Sequence, residues 1–264
     1  MPEGFVDIHC HFLPGIDDGA ADWQVALEMA QMAVADGTKT IIATPHQLGN
    51  FSHNQGETIR QLAGEFQQRL DQQEILLEVL PGGDVRIQDD MVHRLASGEV
   101  LTLADRDRHV LLELPHELYF PLESLLATLK QQHLTGILSH PERNQGILSQ
   151  PGVLPGLVEA GCLMQVTAGS LMGSFGGAAK RLAEGMVRQG LVHFIATDAH
   201  GTRSRRPLMR RAYQRVAELA DQATAQDLCA KNPRLVARGE RVPSGCRAVR
   251  RQGWRRFFST KHVA

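Results

Sequence analysis

Seven short apolar, β-branched runs alternate with longer amphipathic stretches, and that alternation narrows the folds open to this chain. The runs lie near Phe5–Ile8, Thr40–Ala43, Leu76–Leu80, Val110–Leu114, Gly136–Ser139, Leu163–Thr167 and Val192–Thr197. Between them the pattern is helical. Asp22–Ala35 reads DWQVALEMAQMAVA, apolar at spacings of three and four, with Asp22 placed as an N-cap and Gly37 closing the helix. Further helices are predicted over Glu57–Gln72, Leu122–Gln132, Val153–Ala160, Gly177–Gln189 and Leu208–Leu219, with a shorter one from Thr224. Strand–helix alternation predicts a parallel sheet. The chain has 264 residues, and α/β barrels often reach about 250 residues as a single domain. A barrel closed by right-handed crossovers is therefore expected rather than an open sheet.

That length suffices to bury a core without disulfides or a structural metal. No internal linker or repeat interrupts the pattern, and the one compositional break is at Pro243–Gly245. From Ser244 onward there are six Lys or Arg and no acid, against 22 basic and 29 acidic residues before it. Two segments are expected: a domain over residues 1–243 and a flexible basic–aromatic tail over 244–264. The cysteines, Cys10, Cys162, Cys229 and Cys246, are scattered and form no C-x-x-C pair, so a reduced, cytoplasmic protein is expected. Pro2, Glu3 and Asp7 break any early signal-like apolar core, and no stretch of 18 apolar residues exists.

The chemistry gathers where the runs end. The first gives Asp7, His9 and His11; the second gives TPH, with His46; the third gives PGGD, with Asp84. The fourth gives LLELP, with Glu113; the fifth gives SHPER, with His140; the seventh gives ATDAH, with Asp198 and His200. In barrels the C-terminal strand ends converge on the face that carries the active site. In extended chain, residues i and i+2 point to one side, so His9 with His11, and Asp198 with His200, can each grip one ion. Imidazole and carboxylate without thiolate suit Zn, Mn or Fe. Five histidines and three carboxylates exceed the needs of one ion. Two or three ions sharing a bridging carboxylate fit better, with Glu113 the natural bridge. Burying so many ionisable groups without metal would carry a large desolvation cost.

Arg143 lies three residues beyond His140, and Arg206 follows Asp198-x-His200, with Arg203 and Arg205 as rivals for its role. Guanidinium forks match phosphate oxygens. Metals with arginines point to phosphate ester hydrolysis, an in-line attack at phosphorus whose developing charge the ions and arginines hold. The C-x5-R signature, the G-x-S-x-G elbow and the G-x4-G-K-[ST] loop are all missing. Cys10, between two histidines, is expected to face away from them and pack.

DIHCHFLPGIDDGA, TPH, PGGDVRI, LLELP, SHPERN, QVTAGSLMGSFG and ATDAHGTRSRRP together resemble the bacterial polymerase-and-histidinol-phosphatase (PHP) superfamily. More narrowly they resemble its capsular and exopolysaccharide protein-tyrosine phosphatase branch, from about Val6 to Pro243. The resemblance implies a single-domain α/β fold, a distorted (β/α)7 TIM-like barrel with a site of two or three ions. The metal is usually Mn2+, with Zn2+, Fe2+ or Co2+ as substitutes. It implies His9, His11, His46, Glu113, His140, Asp198 and His200 as ligands, and Arg143 and Arg206 as phosphate-binding catalytic groups. Asp84 stands where the family usually has Glu, one methylene longer, so the third ion would be held weakly or through water. The implied substrate is a phosphotyrosine protein, a membrane-bound bacterial tyrosine autokinase controlling polysaccharide export. In QVTAGSLMGSFGG, Ser170 is placed to bond a phosphate oxygen or merely to cap the next helix.

The tail, CRAVRRQGWRRFF, mixes five arginines with Trp254, Phe257 and Phe258. It suits either a solvated end or peripheral contact with an anionic membrane. The acidic body argues against a nucleic-acid track. Rival readings are a phosphatase of histidinol phosphate or another small phosphomonoester, and a regulatory binding module with a degenerate site.

Overall fold

The computed structural model describes residues 4–243, so the 244–264 tail lies outside the described residues. Among the described residues there are nine strands: β1 (Phe5–Cys10), β2 (Thr38–Ala43), β3 (His46–Gln47), β4 (Glu78–Pro81), β5 (Asp84–Arg86), β6 (His109–Glu113), β7 (Thr135–Ser139), β8 (Leu163–Thr167) and β9 (Phe194–Ala196). All seven predicted runs are strands. The second and third are each followed, after a two-residue gap, by a further short strand, β3 and β5, which the apolar pattern did not show.

The strands form two parallel sheets in a single α/β domain, in the orders β1-β2-β4 and β3-β5-β6-β7-β8-β9. The breaks have local causes. Pro45, between β2 and β3, has no N–H to give a ladder. Between β4 and β5 the chain passes too close to its neighbours for side chains. A Cβ at Gly82 would lie 2.7 Å from Ile42 Cγ2, and one at Gly83 would lie 2.3 Å from Gln47 Oε1. On the far side, Cys10 forms a parallel bridge to Ala199, and the His11 N–H donates to the Ala199 carbonyl at 2.8 Å.

Alternate residues of the strands bury opposite faces. Val6, Ile8, Ile42, Leu111, Ile137, Leu163 and Phe194 share one core, into which Val236 and Val242 also pack. Val110, Leu112, Leu138, Met164, Val166 and Ile195 face another, beneath the helices. Apolar burial on both faces is what a parallel sheet with crossover helices demands.

The connecting helices begin with α1 (Trp23–Asp36). The Asp22 side chain accepts from Val25 N–H at 2.9 Å, and Gly37, at φ 110°, closes the last turn. The others used below are α2 (Gly56–Gln72), α3 (Glu123–Gln131), α4 (Ala168–Met172), α5 (Gly176–Arg188) and α6 (Arg210–Leu219). α2, α3, α5 and α6 match predicted helices within two residues. α4 is a helical turn inside the glycine-rich segment that the sequence reading treated as a loop. Among the described residues, no helix is long and apolar enough to cross a membrane.

Candidate metal centre

The C-terminal ends of the strands deliver one connected cluster. Its ligand atoms fall into four overlapping groups: His9, His11 and Asp84; His9, His140 and Asp198; His46, Asp84 and Glu113; and His11, Asp18, His46 and His200. Within each, the donor atoms lie within 4.8 Å of one another. All eight residues expected as ligands are in these groups, with Asp18 as an addition. Asp7 is in none of them. It accepts from the Thr197 N–H at 3.0 Å and from the Thr197 hydroxyl, tying β1 to the end of β9.

The imidazoles are held by their outer nitrogens. His9 Nδ1 donates to Gln165 Oε1 at 2.9 Å, His11 Nδ1 to Asp17 Oδ2 at 2.7 Å, and His200 Nδ1 to the Asp198 carbonyl at 3.0 Å. Each bond fixes a tautomer and leaves Nε2 for the cluster, the usual support of a metal-binding histidine. His9 Nε2 and His11 Nε2 lie 3.2 Å apart. His46 Nδ1 is 3.2 Å from Asp84 Oδ2 and 3.8 Å from Glu113 Oε2, while its Nε2 is 3.5 Å from Asp18. The loops carrying these groups are strained: His140 has φ 33° and Asp198 φ 52°, left-handed values uncommon outside glycine.

The donor set fits divalent ions. Both carboxylate oxygens of Asp84 and Oδ1 of Asp198 are fully buried and make no hydrogen bond. Anionic oxygens left so require a cation. The electrostatics agree. Burial opposes the Asp84 and Asp198 carboxylates, yet the surrounding His9, His46, His11 and Arg205 groups hold both well below the usual carboxylate range. Burial likewise opposes a charged His9, but Asp198 and Asp84 raise it to about 9. His46 rises to about 11 against burial, through Asp18, Asp84 and Glu113. Burial and Arg143 keep His140 neutral, far below the ordinary imidazole value. Burial and Asp84 together raise Glu113.

Two guanidinium groups among the described residues pair with Asp198. Arg143 pairs with Asp198 Oδ2 and lies 4.1 Å above the Phe175 ring. The second is Arg205, whose Nη2 is 2.5 Å from the same oxygen. Arg206, the residue expected there, is exposed. The His200 N–H bonds the Arg205 carbonyl at 2.9 Å, folding the loop back so that Arg205 turns inward at φ 46°. Spacing along the chain could not show which of the three arginines that turn selects.

Other residues were missed or misjudged. Gln165 sits inside the apolar run LMQVT of β8, the one of the seven predicted runs whose end offers no candidate ligand; a buried amide there was the available signal. Asp17 and Asp18, in the turn after β1, supply a support for His11 and a further donor that the strand-end pattern does not include. Ser170 is buried, and its hydroxyl donates to Glu142 Oε1 at 2.6 Å, as does the Thr167 N–H at 3.0 Å. The serine is thus committed to supporting α4. Cys10 packs as expected, its thiol directed at the Ile42 carbonyl.

Comparisons with known proteins point to one family. The family model for capsular polysaccharide synthesis, CpsB/CapC, matches residues 5–238. The tyrosine-protein phosphatase YwqE of Bacillus subtilis is 40% identical over 202 residues, covering 76% of this chain and 79% of that protein. The CapC protein of Staphylococcus aureus is 31% identical over 90% of this chain and 92% of its own length. Among solved structures, one reported for YwqE and for CpsB of Streptococcus pneumoniae, described as metal-dependent tyrosine phosphatases, superposes with a TM-score of 0.84 at 35% identity. It covers 90% of this chain and 96% of that one. A dihydropyrimidinase from Brevibacillus agri, at TM-score 0.53 and 10% identity over 89% of this chain and 71% of that one, shares the fold alone.

Proposed function

This chain belongs to the CpsB/CapC family of capsular polysaccharide synthesis, and from that membership we propose that it is a metal-dependent protein-tyrosine phosphatase, a phosphoric monoester hydrolase. The observation that carries the reading is the buried carboxylate pair among five histidines, with both Asp84 oxygens and Asp198 Oδ1 left without a hydrogen bond and two arginines on Asp198 Oδ2.

We take the two sheets as arcs of one distorted (β/α)7 TIM-like barrel, with residues 1–243 as the phosphatase domain. The Cys10–Ala199 bridge and the two-residue gaps before β3 and β5 support that reading. The ligands are His9, His11, His46, Asp84, Glu113, His140, Asp198 and His200, with Asp18 as a further donor. The resident ion is Mn2+, in two or three copies. When bound, such ions supply Lewis-acid charge stabilisation and a nucleophile at neutral pH.

The chain's own residues do the rest. Gln165, Asp17 and the Asp198 carbonyl orient the rings. Arg143, stacked on Phe175, faces the substrate phosphoryl and matches its oxygens. Arg205, a rival for the role in the reading of the residues, takes the place that the resemblance implies for Arg206. The leaving group is a phenolate, with a reference pKa of about 10, and needs less acid assistance than an alkoxide. The substrate protein is a membrane-bound bacterial tyrosine autokinase of the polysaccharide export system, and the enzyme acts in the cytoplasm.

The test is phosphate release from a tyrosine-phosphorylated peptide, with and without Mn2+, beside histidinol phosphate. Manganese-dependent release from the peptide, lost in His9→Ala, is expected. Preference for histidinol phosphate would keep the site and overturn the substrate. Metal binding with no turnover of either would leave a regulatory module.

A further inference from the structure

Beside the cluster is a cavity of about 210 Å³, lined by His46, Gln47, Leu48, Gly49, Phe51 and Arg86, with Asn50 and Glu113 at the same wall. It shares His46 and Glu113 with the candidate ligands, so anything seated in it lies next to the reacting phosphoryl group. Phe51 stacks on His46, with ring centroids 5.2 Å apart and 24° between planes.

The wall is built rather than incidental. Leu48 and Gly49 both adopt left-handed backbone, φ 70° and 53°. A leucine held there is strained, and such strain persists only where surrounding structure enforces it. Three bonds enforce it: Phe51 N–H to the Leu48 carbonyl at 2.9 Å, Gly49 N–H to Gln88 Oε1 at 3.0 Å, and Asn54 N–H to the Phe51 carbonyl at 3.0 Å. A Cβ at Gly49 would lie 3.2 Å from Arg86 Cγ, so the turn lies against the arginine stem. The Arg86 head is fixed by the Leu114 carbonyl at 3.2 Å and Glu113 Oε2 at 3.4 Å.

We propose that this cavity is an aryl subsite, with Phe51 the residue that selects phosphotyrosine over alkyl phosphates. The proposal rests on the phosphatase reading and names its specificity determinant. A cavity of about 150 Å³ suffices for benzene, so a phenyl ring fits here with room for its attached methylene. An aromatic wall offers offset or edge-on contact that an alkyl ester cannot match.

The test uses phenylphosphonate and methylphosphonate, which keep the phosphoryl oxygens but cannot be hydrolysed. Both are titrated calorimetrically into the manganese-loaded protein, as wild type, Phe51→Ala and Phe51→Tyr. Wild type is expected to bind phenylphosphonate about tenfold more tightly, a ratio set by the aromatic contact. Phe51→Ala should reduce that ratio to about threefold or less while methylphosphonate affinity and metal content stay unchanged. Phe51→Tyr should restore the ratio. An undiminished phenyl advantage in Phe51→Ala would overturn the subsite. A parallel loss for both ligands, or loss of metal, would also overturn it and make Phe51 only a support for His46. Failure of wild type to hydrolyse the phosphotyrosine peptide would strike the underlying reading instead, and would do so whatever the phosphonate ratio.

Discussion

Asp17 touches no substrate in this arrangement, yet Asp17→Asn is expected to weaken metal binding sharply. Its Oδ2 accepts from His11 Nδ1 at 2.7 Å and from the His46 N–H at 3.1 Å, while Oδ1 accepts from the Gly19 N–H at 2.9 Å. One carboxylate thus orients two candidate ligands from different strands. Burial opposes its charge, but His11, the Gly19 N–H and His46 together more than offset this and keep it ionised. Asparagine has one acceptor oxygen. In one orientation its NH2 group faces the Gly19 N–H, in the other it faces both His11 Nδ1 and the His46 N–H, so at least one donor loses its partner either way. A buried donor left unpartnered costs about 1–3 kcal/mol. Loss of a support of this kind lowers metal affinity about 10–100-fold. The assay is competition for Mn2+ against a chelator of known affinity, with circular dichroism to establish that the fold persists. A folded Asp17→Asn protein that binds Mn2+ within about threefold of wild type would refute the reasoning, because His11 and His46 would then be oriented by something else.

Arg205→Ala should lower kcat/KM on a phosphotyrosine peptide about 10–100-fold, the worth of a charge-assisted contact, whereas Arg206→Ala should stay within about threefold. Steady-state kinetics decide, and the reverse order would return the role to Arg206. Gly83→Ala should destabilise the fold by about 2 kcal/mol in denaturant titration. The added Cβ would meet Gln47 Oε1 at 2.3 Å, and that side chain is pinned by Leu101 N–H and the Asn54 and Glu99 carbonyls, so a neutral result would mean Gln47 moves freely. His109, buried at the start of β6 with Arg108 beside it, is depressed from 6.5 to about 4. Above pH 6.5 neither the folded nor the unfolded chain protonates it, and it does not affect stability. As pH falls from 6.5 to 4 only the unfolded chain takes the proton, so stability drops by about 3 kcal/mol in total. Unfolding curves across that window should be flatter in His109→Leu; an unchanged slope would show that other groups carry the acid sensitivity.

What the sequence made legible, and what it did not, divides along a physical line. The candidate ligands were readable because each stands at the end of an apolar run, and parallel strands bring their C-terminal ends to one face. His9 and Asp198 are separated by most of the chain, yet their ring and carboxylate atoms are 3.3 Å apart. Periodicity alone fixes such a meeting. The helix bounded by Asp22 and Gly37 was readable for a similar reason, since a side-chain cap and a left-handed glycine are local chemistry. What escaped depends on backbone angles that no periodicity encodes. Arg205 rather than Arg206 reaches Asp198 because one residue adopts φ 46°. The β2–β3 and β4–β5 breaks come from Pro45 and from the approach of Gly82 and Gly83 to the neighbouring strand, a contact between distant segments.

The aromatic wall has the same origin. In the sequence, QLGNFSH is an unremarkable polar loop with one phenylalanine. It becomes a wall only because Leu48 and Gly49 turn left-handed together, directing Phe51 back over His46. The metal cluster, by contrast, could be assembled from strand ends alone. The candidate ligands therefore follow mainly from the strand ends, with His140 and Asp198 reaching the cluster from left-handed positions, whereas the proposed aryl wall exists only through the strained Leu48–Gly49 turn.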